Sequence, residues 1–565
     1  MSVIYLQSVM VSIRDINPER LTSFEEFRDV LYILLNAIED LQVQKRDLED
    51  RNRVLSDENA RLKGGNGRPG IKPSKKPGDI SSHGREQGKA IKNQGKDKPA
   101  QDRSIAIDRE IKIEMDVSQL PADAVFKGYD QYIQQDLVIE RYNKRFLIAI
   151  FYSPSEGKSY RAAFPEGVCK EHFGAGISSL VNILHHYGNV TESKLCGLLE
   201  GFGVQISSGS VSNLLKAGHQ WAVSEQSDIL QAGLKDTAPK QMDCTGNRER
   251  GVNKVTHIIT SPVFSVFYTL DSKSRIDCLR ALQGNPGKSL QLQWHRDMEE
   301  LWQTSGVKKG DCRTVMALLK EKGMEVLNRS TFEELLKNGA PDVYKKDRIV
   351  HILVESMALN YYKTQGSFAP LKVLLSDDAP EYGKIADYHA LCWVHDARYY
   401  NKLAPGAEVL VNILNTFKTQ YWDFYQELLD YKDQAPTQQQ ASKGEIITRF
   451  DQLFSTPTRY GALDKCLERT RANKEKLLRV LDFPDLPLHN NAAELAARRV
   501  VRKRDVSLHT MTQWGTELRD AFLSIIETAQ KLGISAYDYI SDRVTQQYNM
   551  TSLAEIIKAK ITPTF

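Results

Sequence analysis

From Phe24 to Leu62 apolar residues return every seven positions for more than five repeats. One seam position holds Phe27, Leu34, Leu41, Leu48, Leu55 and Leu62; the other holds Phe24, Leu31, Ile38, Lys45, Asn52 and Asn59. Leucine at one seam position with asparagine at the other predicts two parallel coiled-coil strands held in register, so residues 1–62 read as an N-terminal segment and zipper. The competing reading is one amphipathic helix packed on its own domain. Further on, over 106–172, the runs IKIEMDV, QDLVIERY and RFLIAIFYS alternate as short strands would, predicting a small β-rich module. The period changes again over 173–235, where ISSLVNILHHYG, TESKLCGLLEGFG and SSGSVSNLLKAG have helical spacing. Helices joined through Gly201-Phe202-Gly203, followed by one capped by Ser207, resemble a helix-turn-helix, although many helical hairpins are only packing units. On the first reading Ser208, Ser210 and Asn213 face outward, toward the major groove.

From 236 to 505 the pattern is mixed. PKQMD reads as a strand ending in Asp243, KVTHIIT and VFSVFYTL as two strands of a meander, and LKVLLSDD as a strand ending in Asp377 and Asp378. HALCWVHDARYY is a fifth buried run, and a long helical stretch at about 289–362 lies between the third and fourth strands. The stretch LPLHNNAAELAARRVVRKRD, at 486–505, predicts a helix entered through Asn490 and Asn491, whose side chains can cap free backbone N–H groups. Glu494, Arg498 and Arg502 follow at intervals of four and share one helical face, with Arg499, Lys503 and Arg504 close by. Three consecutive strands, a fourth and fifth separated by helices, and an acid-bearing helix match an α/β, ribonuclease-H-like core with a helical insertion. A helical tail, 506–565, completes the chain. Strand order cannot be read from the pattern.

Composition narrows the field. With 565 residues, domains of average size give roughly four. Lys and Arg number 76 against 72 Asp and Glu, so the overall balance of +4 says little about partners. The distribution says more: 63–105 is rich in Gly, Pro, Ser, Lys and Arg and cannot bury an apolar face. Such a linker either adds salt-sensitive DNA affinity or only solubilises. The seven cysteines are scattered with no Cys-x-x-Cys spacing, which argues against a disulfide framework and a closed zinc site, and for a reducing cytosol. No apolar run is long enough to span a bilayer, and the N-terminus, broken by Gln7, Ser8 and Ser12, makes a poor signal peptide.

Candidate chemistry rests on acids. If Asp243 ends the first strand, Asp377 or its neighbour Asp378 ends the fourth, and Glu494 lies on the following helix, the three can hold Mg²⁺, which prefers oxygen ligands. Two such ions, roughly 3.5–4 Å apart, clamp the attacking and leaving oxygens of an in-line phosphoryl displacement. Adjacent acids on a strand point to opposite faces, so Asp378 competes with Asp377. His395 and Arg398 are candidate contacts to the scissile phosphate, against a packed histidine and a surface arginine; Trp393 reads as core.

LPLHNNAAELAARRVV followed by TELRDAFLSIIETAQKLGISAYDYI resembles the C-terminal half of the insertion-sequence-66 family of bacterial transposases. LLSDDAPEYG with CWVHDARYY resembles that family's second acidic motif and the segment after it, and MDCTGNRERG stands in the place of its first acid. Zipper, basic linker and helix-turn-helix follow the family's order. The resemblance implies a transposase of the Asp-Asp-Glu class with Asp243, Asp377 and Glu494 as catalytic acids and ligands of Mg²⁺ or Mn²⁺, two ions in all. It implies binding to double-stranded DNA, both element ends and target, by a homodimer or higher oligomer, together with small accessory proteins. Arg498 and Arg502, with His395, Arg398 and the outward residues of the helix-turn-helix, would contact DNA. Three departures mark a divergent branch: only Cys169 stands where the family carries a zinc-binding segment, so no structural zinc is expected; Cys244-Thr245-Gly246 replaces the family's usual wording after the first acid; and 289–362 is an insertion. The alternatives are a nuclease of the same fold without strand transfer, and an inactive transposase-derived DNA-binding protein.

Overall fold

The computed structural model describes residues 4–6, 9–11, 23–62, 107–114, 125–164, 172–284, 290–295, 297–323, 326–365 and 369–561. Two compact units are formed, one from 1–79, 167–196 and 207–565, the other from 80–166 and 197–206. The basic linker and Cys169 lie outside the described residues. In the larger unit a short pair, β1 (Ile4–Leu6) and β2 (Val9–Val11), stands near the N-terminus. The smaller unit holds the antiparallel pair β3 (Ile150–Ser153) and β4 (Lys158–Arg161). Of the three strand runs expected over 106–172, only the last forms a strand; described residues 107–114 and 125–149 form none. Their apolar side chains, Leu137, Val138 and Tyr142 among them, are exposed. Alternation fixes which way side chains point, but a strand also needs a neighbour for its N–H and C=O groups.

The runs after 236 do find neighbours. β5 (Lys240–Glu249), β6 (Val252–Thr260) and β7 (Ser265–Leu270) form an antiparallel meander; the first strand does not end at Asp243 as expected but runs on to Glu249, because β6 pairs with it over the whole of that length. The insertion that follows is helical, as expected, in Met298–Thr304, Lys309–Lys322, Arg329–Gly339 and Asp347–Thr364, and also carries the antiparallel pair β8 (Gln291–Gln293) and β9 (Val326–Asn328). β10 (Val373–Ser376) then pairs parallel to β5, and β11 (Tyr388–Leu391) parallel to β10. The sheet order is β7-β6-β5-β10-β11. Counted along the chain this is third, second, first, fourth, fifth, with the first strand at the centre.

The helix Gln513–Leu532, expected as part of a tail, belongs to this sheet. Along the edge strand β7, the N–H groups of Ser265, Phe267 and Thr269 donate to Thr528 Oγ1 (3.2 Å), Ser524 Oγ (3.1 Å) and Asp520 Oδ2 (2.7 Å). Two residues of strand advance about 6.6 Å and four of helix about 6 Å, so polar side chains at every fourth helical position match alternate strand amides. The open edge is thereby closed.

A second helical layer, Glu408–Lys432, Pro436–Ser455 and Gly461–Ala472, separates β11 from the Glu494 helix. Its core is aromatic: Trp393 packs among Tyr421, Phe424, Phe450 and Phe454, and its indole N–H donates to Leu477 O at 2.9 Å. Trp393 is core, as expected. The heptad-bearing segment is one continuous helix, Phe24–Leu62. Ile33 is buried, Tyr32 and Leu35 pack on the aromatic layer, the Gly461 amide donates to Asn36 Oδ1 (2.8 Å) and the Gly406 amide to Glu39 Oε2 (3.1 Å). The seam residues Leu34, Ile38, Leu41, Leu48 and Leu55 stay exposed. Among the described residues no helix is long and apolar enough to cross a membrane.

Candidate active site

Register brings two of the acids together. In the parallel pairing Leu374 stands opposite Lys240 and Leu375 opposite Gln241; carried on two residues, the same register sets Asp377 beside Asp243. Neighbouring parallel strands at matched positions send side chains to one face, about 4.8 Å apart in backbone. Asp378 turns away, into an ion pair with Arg469 (2.7 Å) and a hydrogen bond from Asn473 Nδ2 (3.3 Å). Of the two neighbours, it is Asp377 whose charge bears on Asp243.

The third acid arrives on the helix Asn491–Ser507, which lies across β5 and β6 through Ala496, Ala497 and Val500. Asn490 precedes it, but its side chain caps no helical N–H. The amide Nδ2 donates instead to Met242 O (2.9 Å), one residue before Asp243, while the Asn490 backbone N–H donates to Cys392 Sγ (3.3 Å) after β11. The expected cap is corrected to a strap between helix start and central strand: that carbonyl offers a buried partner, and the amide has two N–H groups to give.

Electrostatics records the crowding. Burial pushes the Asp243 carboxyl up to about 7; the Cys244 amide opposes this, the charges of Asp377 and Glu494 add to it, and Lys273 opposes it. Glu494 faces two cationic candidates: Arg398 Nη2 donates to its Oε1 (3.0 Å), and His395 Nε2 stands 3.4 Å from the same oxygen. Burial and Arg398 lower the His395 pKa, against the opposing charges of Glu494 and Asp377. His395 and Arg398 therefore sit on the acid rather than apart from it. Among the described residues no three His, Cys, Asp or Glu side chains are grouped tightly enough, as they stand, to hold a metal ion.

The basic stripe divides. Arg498 and Arg502 are exposed, Arg499 pairs with Glu527 (2.9 Å), Lys503 is buried with its ammonium on His185 O, and Arg504 donates to Gly246 O. On the helix Ser208–Ala217, Ser207 caps the end by accepting from the Ser210 amide (3.2 Å), as expected. Ser208 and Asn213 are exposed there; Ser210 is half-buried, its hydroxyl 3.0 Å from Ser207 Oγ. Sequence reasoning missed Lys273, the Asn490 strap and the Arg469–Asp378 pair. Only the doubled asparagine before the acid was a usable signal.

The family model described as the Transposase IS66 family matches residues 362–518, a stretch that holds Asp377, His395, Arg398 and Glu494 and begins after Asp243. A relative from Sinorhizobium fredii (strain NBRC 101917 / NGR234), the uncharacterized protein y4jO, is 30% identical over 333 residues, 59% of this chain and 100% of its own length. No solved structure matches. The chain belongs to the IS66 transposase family.

The raised Asp243 pKa has a pH signature. In metal-free buffer the folded chain keeps a proton that the unfolded chain loses above about 4, so stability falls as pH rises from about 4 to about 7 and is level beyond. Asp243→Asn removes this slope and stabilises the chain above pH 7 by about 2–4 kcal/mol. Thermal melting of both proteins across that range measures it; parallel profiles would contradict the assignment.

Proposed function

We propose that this chain is a DNA transposase of the Asp-Asp-Glu class, binding element ends and carrying out metal-dependent strand cleavage and transfer on a ribonuclease-H-like sheet. The observation that carries the reading is the β10–β5 register that sets Asp377 beside a buried Asp243, with the charge of Glu494 also bearing on it, in a sheet ordered third-second-first-fourth-fifth. The donor set fits a hard divalent cation: three carboxylates, one of them held protonated partly by the other two, a negative charge that Mg²⁺ or Mn²⁺ would neutralise. Asp243, Asp377 and Glu494 would hold the metal, which when bound polarises the attacking oxygen and steadies the leaving one.

The rest of the work falls to the protein's own side chains. Arg398 and His395 hold the Glu494 carboxylate and, once it turns to a cation, are free to meet a phosphate oxygen. Arg498 and Arg502 extend positive charge along the helix to position the duplex, and Ser208, Ser210 and Asn213 offer the recognition helix to a groove. The exposed heptad seam joins two copies of the chain, while the other face of the same helix stays docked on the aromatic layer.

A plasmid bearing the DNA that flanks the gene, incubated with target plasmid and Mg²⁺, tests the chemistry. Wild type cuts at the element end and joins it to the target, and Asp243→Asn, Asp377→Asn or Glu494→Gln each lowers both products about 1000-fold. Asp378→Asn stays within about threefold of wild type. Cutting without joining would favour the nuclease alternative, and no cutting the inactive DNA-binding protein. Light scattering tests the zipper: wild type has the mass of two chains or more, and Leu41→Glu with Leu48→Glu has that of one, at unchanged helical content. A single-chain wild type would refute it.

A further inference from the structure

Beyond the last turn of the Glu494 helix lies a cavity of about 620 Å³ whose walls include His186, Ser212, Asn247, Lys503, Leu508 and Trp514. Nothing assigned so far uses it. We propose that it receives one nucleotide swung out of a DNA duplex lying along the Glu494 helix, with Leu508 filling the gap left in the base stack. The inference rests on the reading that the chain binds element-end DNA, and adds how that DNA is deformed.

Three features of the cavity and its rim carry it. The first is Leu508, a non-glycine residue at φ +58°, ψ −64°, in a three-residue turn closed by the His509 N–H on Ser507 O (2.6 Å). This backbone is strained for leucine, and it persists where the surroundings over-determine it. Here they do: the Arg250 amide donates to Thr510 O (2.9 Å), and Arg250 Nε to Met511 O (3.0 Å). The turn is thereby fixed to the end of the β5–β6 hairpin, and its apolar side chains point outward, Leu508 69% and Met511 64% exposed. A rigid loop presenting leucine and methionine to solvent is the form of an intercalating wedge.

The second feature is the chemistry inside. His186 is buried with both ring nitrogens lacking a hydrogen-bond partner, its face stacked on Phe522 at 4.3 Å. Buried polar groups without partners are uncommon enough to need a reason. Burial, with the charges of His185, Lys503 and Arg519, holds this imidazole well below its ordinary pKa, so it is neutral. Both nitrogens lie closed to solvent beneath the cavity wall, and a neutral imidazole would offer one donor and one acceptor to a base edge seated against it. Lys503 spends one N–H on His185 O and keeps two for a phosphate oxygen, with Glu192 the opposing charge nearby.

The third feature is position. From Glu494 to Ser507 the helix advances about 20 Å, or about six base pairs of duplex, and the exposed Arg498 and Arg502 lie between. A strand tracking those arginines from the carboxylates reaches the wedge and cavity together.

Binding of duplexes cut from the DNA that flanks the gene, each with one base pair replaced by a mismatch, tests the proposal by fluorescence anisotropy. A mismatch removes part of the cost of extrusion, so one position, about six base pairs from the cleavage point, binds about tenfold tighter than the intact duplex. Leu508→Ser, an exposed change that leaves the melting temperature in place, weakens binding of the intact duplex and spares the mismatched one; His186→Ala lowers the mismatch preference below about threefold. Intact duplex bound with no mismatch preferred, or a Leu508→Ser protein indistinguishable from wild type, would overturn the proposal and leave the transposase reading standing. Failure to bind the intact duplex at all would remove both.

Discussion

Like charges held together at one end of a sheet are the constraint on which the rest of this structure depends. Burial raises the pKa of Asp243 and the charges of Asp377 and Glu494 add to it, so the chain bears a standing cost there and must hold the groups against mutual repulsion. Two devices do so. Parallel pairing of β10 with β5 at Leu374 and Leu375 sets the register that brings Asp377 alongside, through backbone contacts that do not respond to side-chain charge. Glu494 is fixed through Asn490, whose amide ties the start of its helix to the residue before Asp243. Arg398 then offsets part of the negative charge at 3.0 Å.

The surroundings serve the same end. The sheet can keep its central strand at the acids because its β7 edge is closed by Asp520, Ser524 and Thr528 rather than by another strand. The aromatic layer built on Trp393 and Tyr421 places the segment after β11 firmly enough for Trp393 N–H to meet Leu488 O at 3.0 Å, just before the Asn490 strap. Insertions therefore lie between strands and helices without disturbing the register that matters.

Much of this was legible in the sequence because it is local. The heptads give one uninterrupted helix, the apolar run before Asp377 gives a strand, and Glu494 with Arg498 and Arg502 gives a charged helical face; the run before Asp243 also gives a strand, but one that continues past the acid to Glu249. What was not legible depends on partners far along the chain. Alternation in QDLVIERY matched a strand, yet among the described residues no neighbouring strand receives it. Asn490 looked like a cap because the sequence cannot show a carbonyl 248 residues away. Asp377 and Asp378 were indistinguishable until Arg469, 91 residues downstream, took the second. The helix 513–532 read as a tail because the match between its fourth-residue repeat and strand amides exists only in three dimensions.

On the proposed reading, Asp243, Asp377 and Glu494 act as one charged group toward a divalent cation. Titration of Mn²⁺ into the purified chain, followed by electron paramagnetic resonance, tests it without DNA or turnover. Wild type binds saturably, and replacing any one of the three with its amide lowers the affinity at least about tenfold. Equal Mn²⁺ binding by wild type and all three variants would contradict it.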